Sequence, residues 1–293
     1  MNRWKKATTM LALLTAGLLT GCGDSSKTEE VHSFAVWEKT EDAAYTFSDG
    51  VTAEKWKNEK ENTQQYRYRL EDGTDLLQTT DVLSPEEEID SELSGFCGLE
   101  ETAQENVRAY YQKQGIVYNL EKELEDAYED YLACADSREH FTCHEVSQDV
   151  MESAENGTYM VILTAVTTPK KLHFDGGTTC NYQTAIFDRK SGETIDIWDL
   201  FTKSQAETKE ELAKICSVED TTVSEQDVGP VMDQSQILLF QDYLEVWFPY
   251  GTWERQEFDK GFGFEYEKIG GLLYDWAVPS QKEQSHAFAE STG

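Results

Sequence analysis

The sequence predicts an α+β fold, with mainly antiparallel sheet and helices packed on one face. Three observations carry this reading. Period-two alternation joined by hairpin-length turns fills residues 66–83, 140–166 and 180–198. A block of helical periodicity, 102–131, separates the first pair of strands from the rest. Strand signals return at 236–248 and 262–267, and all five prolines (Pro85, Pro169, Pro230, Pro249, Pro279) fall at element boundaries.

In chain order, residues 66–70 (YRYRL) and 76–83 alternate like strands, and EDGTD between them has turn chemistry. Ser84-Pro85-Glu86-Glu87-Glu88 reads as a helix opening: a serine N-cap, proline at the first helical position, and carboxylates facing the helix dipole. Thr102 to Glu105 (TAQE) reads as a capping box. The helix that follows presents Val117, Leu120, Leu124, Ala127, Tyr128 and Tyr131 at helical spacing, and Gly115 is placed to break it in two. A second hairpin joins 140–150 to 158–166 through Glu155-Asn156-Gly157. A third joins 180–188 to 193–198 through Arg189-Lys190-Ser191-Gly192. Ser204 to Glu207 (SQAE) is another capping box, opening a helix to about Ile215. Residues 217–233 are acidic and irregular, and 236–248 reads as two strands or one bent strand closed by Pro249-Tyr250-Gly251.

Charge narrows the partners. The chain has 25 Lys+Arg against 57 Asp+Glu, a formal charge of −32. Removing Arg3, Lys5 and Lys6, the basic residues before Cys22, leaves 22 against 57, or −35. Such a surface repels nucleic-acid backbones and anionic lipid headgroups, so partners should be cationic or uncharged. With 39% hydrophobic and 12% aromatic residues, the chain can still build a core.

The first 22 residues read MNRWKKATTMLALLTAGLLTGC. Arg3, Lys5 and Lys6 form a positive head, Ala7 to Leu19 a short apolar run, and Leu19-Thr20-Gly21-Cys22 the end. This end resembles the lipobox of bacterial lipoprotein precursors. The resemblance implies a diacylglyceryl group on the Cys22 thiol, cleavage between Gly21 and Cys22, and a location on the outer face of the cytoplasmic membrane. Two acyl chains suffice for stable anchoring. No later segment approaches the run of about 18 apolar residues that a membrane helix needs.

Cys97, Cys134, Cys143, Cys180 and Cys216 remain, an odd number, so at least one thiol stays free or pairs with another molecule. Bridges Cys134–Cys143 and Cys143–Cys180 are both open, and spacing does not choose between them. His140, Cys143 and His144 (HFTCH) could be drawn as a metal cluster, but on a strand Cys143 faces away from both histidines. A structural role is expected, with no metal and no cofactor. Nucleotide-binding, P-loop and nucleophile-elbow motifs are absent from the sequence, as is EF-hand spacing. Trp247, Phe248, Tyr250, Trp253, Phe258, Phe262, Phe264, Tyr266, Tyr274 and Trp276 crowd one short stretch. Alternation puts Trp247 opposite Val246 and Phe248, so one set packs inward and the other reaches solvent, where Trp and Tyr stack on sugars or anchor a protein. Trp247, Tyr250 and Trp253, with Asp175 at the Gly176-Gly177 turn, are the candidate ligand-binding residues; the alternative, that these aromatics form sheet core, is open and the heavier of the two.

From about 172 to 276 an ordered set of features appears: Phe174-Asp175-Gly176-Gly177, Ile186-Phe187-Asp188, Lys190-Ser191-Gly192-Glu193, Trp198-Asp199-Leu200-Phe201 and Trp247-Phe248-Pro249-Tyr250. This resembles the RsiV-like domain of unknown function, shared by the extracytoplasmic half of anti-sigma-V factors and the accessory region of PdaC-type peptidoglycan deacetylases. Residues 60–170 resemble its usual companion. Where the family often has Tyr-Thr-Gly-Gly-Ala-His, this chain has Phe174-Asp175-Gly176-Gly177-Thr178-Thr179, without the histidine. Neither a sigma-binding segment nor a deacetylase module is expected.

The resemblance implies a non-catalytic binding or sensing module for a cationic protein such as lysozyme, or for cell-wall glycan (peptidoglycan). The alternative is a cell-wall hydrolase or deacetylase using His140, His144 or His173 beside two carboxylates. The expected organisation is a signal peptide (1–21), a lipidated cysteine and acidic tether (22–55), a companion domain (56–170), the RsiV-like domain (171–279) and a frayed tail (280–293).

Overall fold

The structure, a computed structural model, describes residues 36–58, 63–87, 93–137, 140–170, 177–254, 256 and 258–279. Cys22, Gly21, His173 and Asp175 lie outside them. The fold is α+β with mostly antiparallel sheets.

Four strands open the described chain: β1 (Trp37–Thr46), β2 (Thr52–Asn58), β3 (Gln64–Arg69) and β4 (Asp75–Asp81). A helical excursion follows, with α1 (Ser94–Cys97), α2 (Glu101–Gln114) and α3 (Leu120–Ser137). The chain then returns to the same sheet as β5 (His144–Glu155), β6 (Tyr159–Pro169), β7 (Thr178–Asp188) and β8 (Thr194–Ile195). These eight strands pair in sequence order. Every pair is antiparallel except β4 with β5. A parallel pair needs a long crossover, and the helical excursion supplies it. Beyond it come α4 (Gln205–Glu219), α5 (Glu225–Val228), and β9 (Ile237–Leu239), β10 (Tyr243–Phe248) and β11 (Lys260–Glu265), which form a second sheet in the order β11-β10-β9.

The registers sort the side chains of the large sheet. Ala53, Tyr68, Leu77, Val146, Val150, Ile162 and Phe187 share one face. On that face α1 and α2 bury Phe96, Val107 and Tyr111 against Val150, Ile162 and Phe187. Next to them α3 buries Leu124, Ala127 and Tyr128 against Ala53, Tyr68 and Leu77. Three tyrosines fasten α3 further: Tyr128 donates to Asp49 at 2.8 Å, Tyr131 to Asp72 at 2.9 Å, and Tyr45 to Glu125 at 2.7 Å. The opposite face, with Val161, Leu163 and Ile186, packs on Leu244, Val246 and Phe248 of the small sheet and on Leu212 and Cys216 of α4. Ser204 and Glu207 form the expected capping box on α4.

Four local expectations change. Ser84-Pro85 opens a turn, because the Glu87 carboxylate turns back to accept from the Leu83 N–H at 2.9 Å and Glu87 N–H donates to the Ser84 carbonyl. Thr102 lies inside α2, which starts at Glu101 with Glu100 as a cap that makes no side-chain bond. Trp198 sits in a short 3₁₀ turn, 197–200, rather than at a strand end, because Asp196 caps it through the Trp198 N–H. Cys143 is a free thiol, so neither bridge drawn from the sequence forms. The break at Gly115 is as expected: its φ of +60 ends α2.

Two boundaries of the expected organisation also differ from the described structure. Residues 37–46 and 52–58, placed partly in a tether, are strands β1 and β2, joined in register on both sides of an irregularity between Lys39 and Ala44. The acid-rich β1 shows little alternation of its own and gains its form from pairing. A break at 170/171 is not seen either, because β6 and β7 pair without interruption from Tyr159↔Asp188 to Pro169↔Thr178.

Candidate binding site

Strand β10 divides its side chains by alternation. Leu244, Val246 and Phe248 are fully buried, while Tyr243, Glu245 and Trp247 are half-buried on the other side. That side meets the start of β7. The Trp247 indole Nε1 donates to the Cys180 carbonyl at 2.7 Å, and its ring meets Tyr182 edge-on at 5.7 Å. Gly261 lies directly across from Trp247: a Cβ there would fall 2.2 Å from Glu245 Oε1, the movable end of that side chain, and 3.1 Å from the Trp247 ring.

Tyr250 follows in the turn after β10. Its N–H donates to Asp259 Oδ1 at 2.6 Å, and Thr179 Oγ1 donates to the same oxygen at 2.7 Å. This carboxylate thus joins the turn to the first residues of β7. The Lys170 ammonium lies 5.4 Å from the Tyr250 ring and 5.8 Å from the Phe258 ring, and Phe258 is 70% exposed. Trp253 is half-buried, as Trp247 is. Gln256 accepts from Thr252 N–H and donates to the Phe248 carbonyl, curling the turn back. Trp253 therefore meets Phe248 edge-on at 5.3 Å and packs against the core.

The electrostatics of this region are anionic. Burial raises the pKa of Glu245, and burial also raises that of Asp149, which shares the Tyr182 face through the Asp149↔Ala165↔Tyr182 register; Ser147 partly offsets the Asp149 shift. Neither carboxylate has a basic partner among the described residues. Burial pushes the Cys180 thiol up as well, so it stays protonated and weakly nucleophilic. Half-buried carboxylates between aromatic faces suit ammonium and guanidinium groups. A second exposed aromatic pair, Tyr274 and Trp276, lies near the chain end at 43% and 47% exposure, with rings 6.3 Å apart and within 15° of parallel.

The histidines of the enzyme alternative lie elsewhere. His144 is on the α3 side of the sheet, 3.0 Å from Asp130 and stacked on Phe141, and His140 is exposed in the preceding loop. Among the described residues no group of three or more His, Cys, Asp or Glu side chains could hold a metal ion. Nor is any described helix long and apolar enough to cross a membrane.

Of the four residues expected to bind ligand, Trp247 and Tyr250 both reach the start of β7, through Cys180 and Thr179, and Trp253 packs half-buried on Phe248. The sequence reading missed Tyr182, Glu245, Asp149 and Asp259. Glu245 was accessible by the same alternation that placed Trp247, two positions along β10. The others depend on pairing between distant strands.

No protein-family model matches the chain. No curated protein matches it. Among solved structures, a DUF3298-family member from Bacteroides fragilis is similar over 74% of this chain and 93% of its own, at 14% identity and a TM-score of 0.39. A DUF3298-family protein from Pseudomonas aeruginosa is similar over 70% and 87%, at 13% identity and a TM-score of 0.35.

Proposed function

We propose that this protein is a lipoprotein, anchored through Cys22 at the outer face of the bacterial cytoplasmic membrane, whose folded part binds a cationic protein such as lysozyme without catalysing a reaction. The observation that carries the reading is the pairing of half-buried carboxylates, Glu245 and Asp149, with the rings of Tyr182 and Trp247 on a chain of charge −32. Long-range attraction would bring a basic partner to this surface, and the effect should weaken as salt rises. The test is to mix the purified protein with a basic lysozyme, and with the same lysozyme acetylated at its lysines, at low and moderate salt. Binding at low salt that acetylation weakens supports the proposal; no binding at low salt overturns it.

A second reading, wall glycan as ligand, is favoured by one observation, the exposed near-parallel pair Tyr274 and Trp276. Soluble peptidoglycan fragments titrated against tryptophan fluorescence test it. A response lost in Trp276→Ala supports glycan, and no response removes it.

A further inference from the structure

The two helical cores on one face of the large sheet are separated by a polar seam. Thr79, Asp81, Gln148 and Thr164 are each at most 2% exposed, and they lie side by side through the registers Thr79↔Val146, Asp81↔Gln148 and Gln148↔Val166, with Thr164 next along β6 on the same face. The connector between α2 and α3, Gly115–Asn119, lies over this seam. Gln148 holds it twice, accepting from Val117 N–H at 2.8 Å and donating to the Gly115 carbonyl at 2.9 Å. Gly115 is the hinge at one end, with φ +60. The third tie is the Tyr118 hydroxyl, which donates to Asp81 Oδ2 at 3.1 Å.

Asp81 is an unusual anchor. It is 2% exposed, and its other oxygen, Oδ1, is buried with no hydrogen-bond partner. No Lys or Arg ion pair to it forms within 4.0 Å among the described residues. The groups facing it can be named element by element. On its own strand lies Thr79, and β3 presents Tyr66 and Tyr68. From β2 comes Lys55, whose ammonium sits 3.8 Å over the Tyr66 ring. Gln148 comes from β5 and Tyr118 from the connector. One cation held off on an aromatic ring faces Asp81, while Asp149, on the opposite face of the sheet, adds repulsion across it. A buried charge without a paired partner is costly, whereas the neutral acid is tolerated.

We propose that the connector Gly115–Asn119 is a proton-operated latch, closed over the seam when Asp81 is a neutral carboxylic acid and loosened when it ionises. Its carboxyl is pushed up to about 6, mainly by burial, so the change falls between mildly acidic and neutral conditions. The sign follows from linkage. A folded-state value above the unfolded one means the folded chain holds the extra proton, so closure is favoured at low pH and lost as pH rises through about 6. Opening would release the connector from the sheet at the Gly115 hinge, while α3 stays fixed by its core and by the Tyr128, Tyr131 and Tyr45 bonds.

Amide hydrogen exchange of the purified full-length chain, corrected for the intrinsic pH dependence of exchange, tests this between pH 5 and pH 7.5. Protection of the Val117 amide, which donates to Gln148, should fall tenfold or more over that range, with no comparable change in β6 and β7. Asp81→Asn should remove the local pH dependence, whereas Glu210→Gln, an equal charge change on an exposed α4 position, should leave it intact. Tyr118→Phe removes a bond that favours the ionised form, so its midpoint should move to higher pH. Equal Val117 protection at both pH values in the native chain overturns the proposal, as does persistence of the pH dependence in Asp81→Asn. A merely structural role for Tyr118 would lower protection without moving the midpoint.

Discussion

Asn156 joins the β5–β6 turn to the C-terminal segment that carries Tyr274 and Trp276. Its Oδ1 accepts from Thr158 N–H at 2.8 Å and Tyr159 N–H at 3.0 Å, which closes the turn. Its Nδ2 donates to the Trp276 carbonyl at 3.1 Å and, more weakly, to the Val278 carbonyl at 3.4 Å. The substitution Asn156→Asp separates these roles. It keeps the accepting oxygen and replaces the donating nitrogen with an oxygen aimed at two carbonyls. Losing each bond costs about 1 kcal/mol, and the opposed oxygens add to that, giving about 2–4 kcal/mol in all. In a chain of this size that lowers Tm by roughly 4–16 °C. Asn156→Ala removes all four bonds and should cost about 1–2 kcal/mol more. The assay is urea unfolding followed by tryptophan fluorescence at pH 7, with proteolysis of the C-terminal segment as a local readout. Acidification should narrow the gap between Asn156→Asp and the native protein, because a protonated Asp regains one donor. If Asn156→Asp is as stable as the native chain at pH 7, or equals Asn156→Ala, the division of labour drawn here is wrong.

Other expectations test separate parts of the molecule. Gly192 has φ +69 and a Cβ there would lie 2.3 Å from the Ala103 carbonyl oxygen, whereas Gly50 has φ +90 and open space. Gly192→Ala should therefore cost about 2–4 kcal/mol and Gly50→Ala about 1 kcal/mol or less in the same denaturation assay. Trp247→Phe keeps a ring beside Tyr182 but loses the donation to Cys180, so a loss of about 1 kcal/mol is expected, with weaker low-salt binding of a basic protein. Asp220 is held down to about 2, first by its bond to Lys260 and then by Thr222. Its contribution to stability is present above the ordinary carboxylate value of 3.8 and lost as pH falls through about 2. A Lys260→Met chain should accordingly show a smaller loss of stability across that acid range than the native chain.

Much of the fold was legible because hairpins and capped helices are written in adjacent residues. The Glu155-Asn156-Gly157 turn, the alternation either side of it and the Ser204-Glu207 box all needed only local chemistry. Ser84-Pro85 misled for the same reason: its helix-opening signs are genuine, but the Glu87 carboxylate spends itself on Leu83. Strand β1 was hidden because a charged strand such as WEKTEDAAYT is recognisable only beside its partner. At the candidate site, alternation along β10 separates Trp247 from the buried Val246 and Phe248, while the contact of Trp253 with Phe248 depends on Gln256 reaching the Phe248 carbonyl.

By itself the sequence determined the hairpin at Glu155-Asn156-Gly157, the capped start of α4, the acidic composition and the lipobox-like start, all properties of short stretches or of composition. Only the tertiary structure decided that eight strands share one sheet across the expected domain boundary, and which of two helical layers each side chain faces. It alone decided that Asp81, one of 57 acids, is buried without a basic partner among the described residues. Burial is a sum over neighbours distant in sequence, and no local pattern in the chain contains that sum.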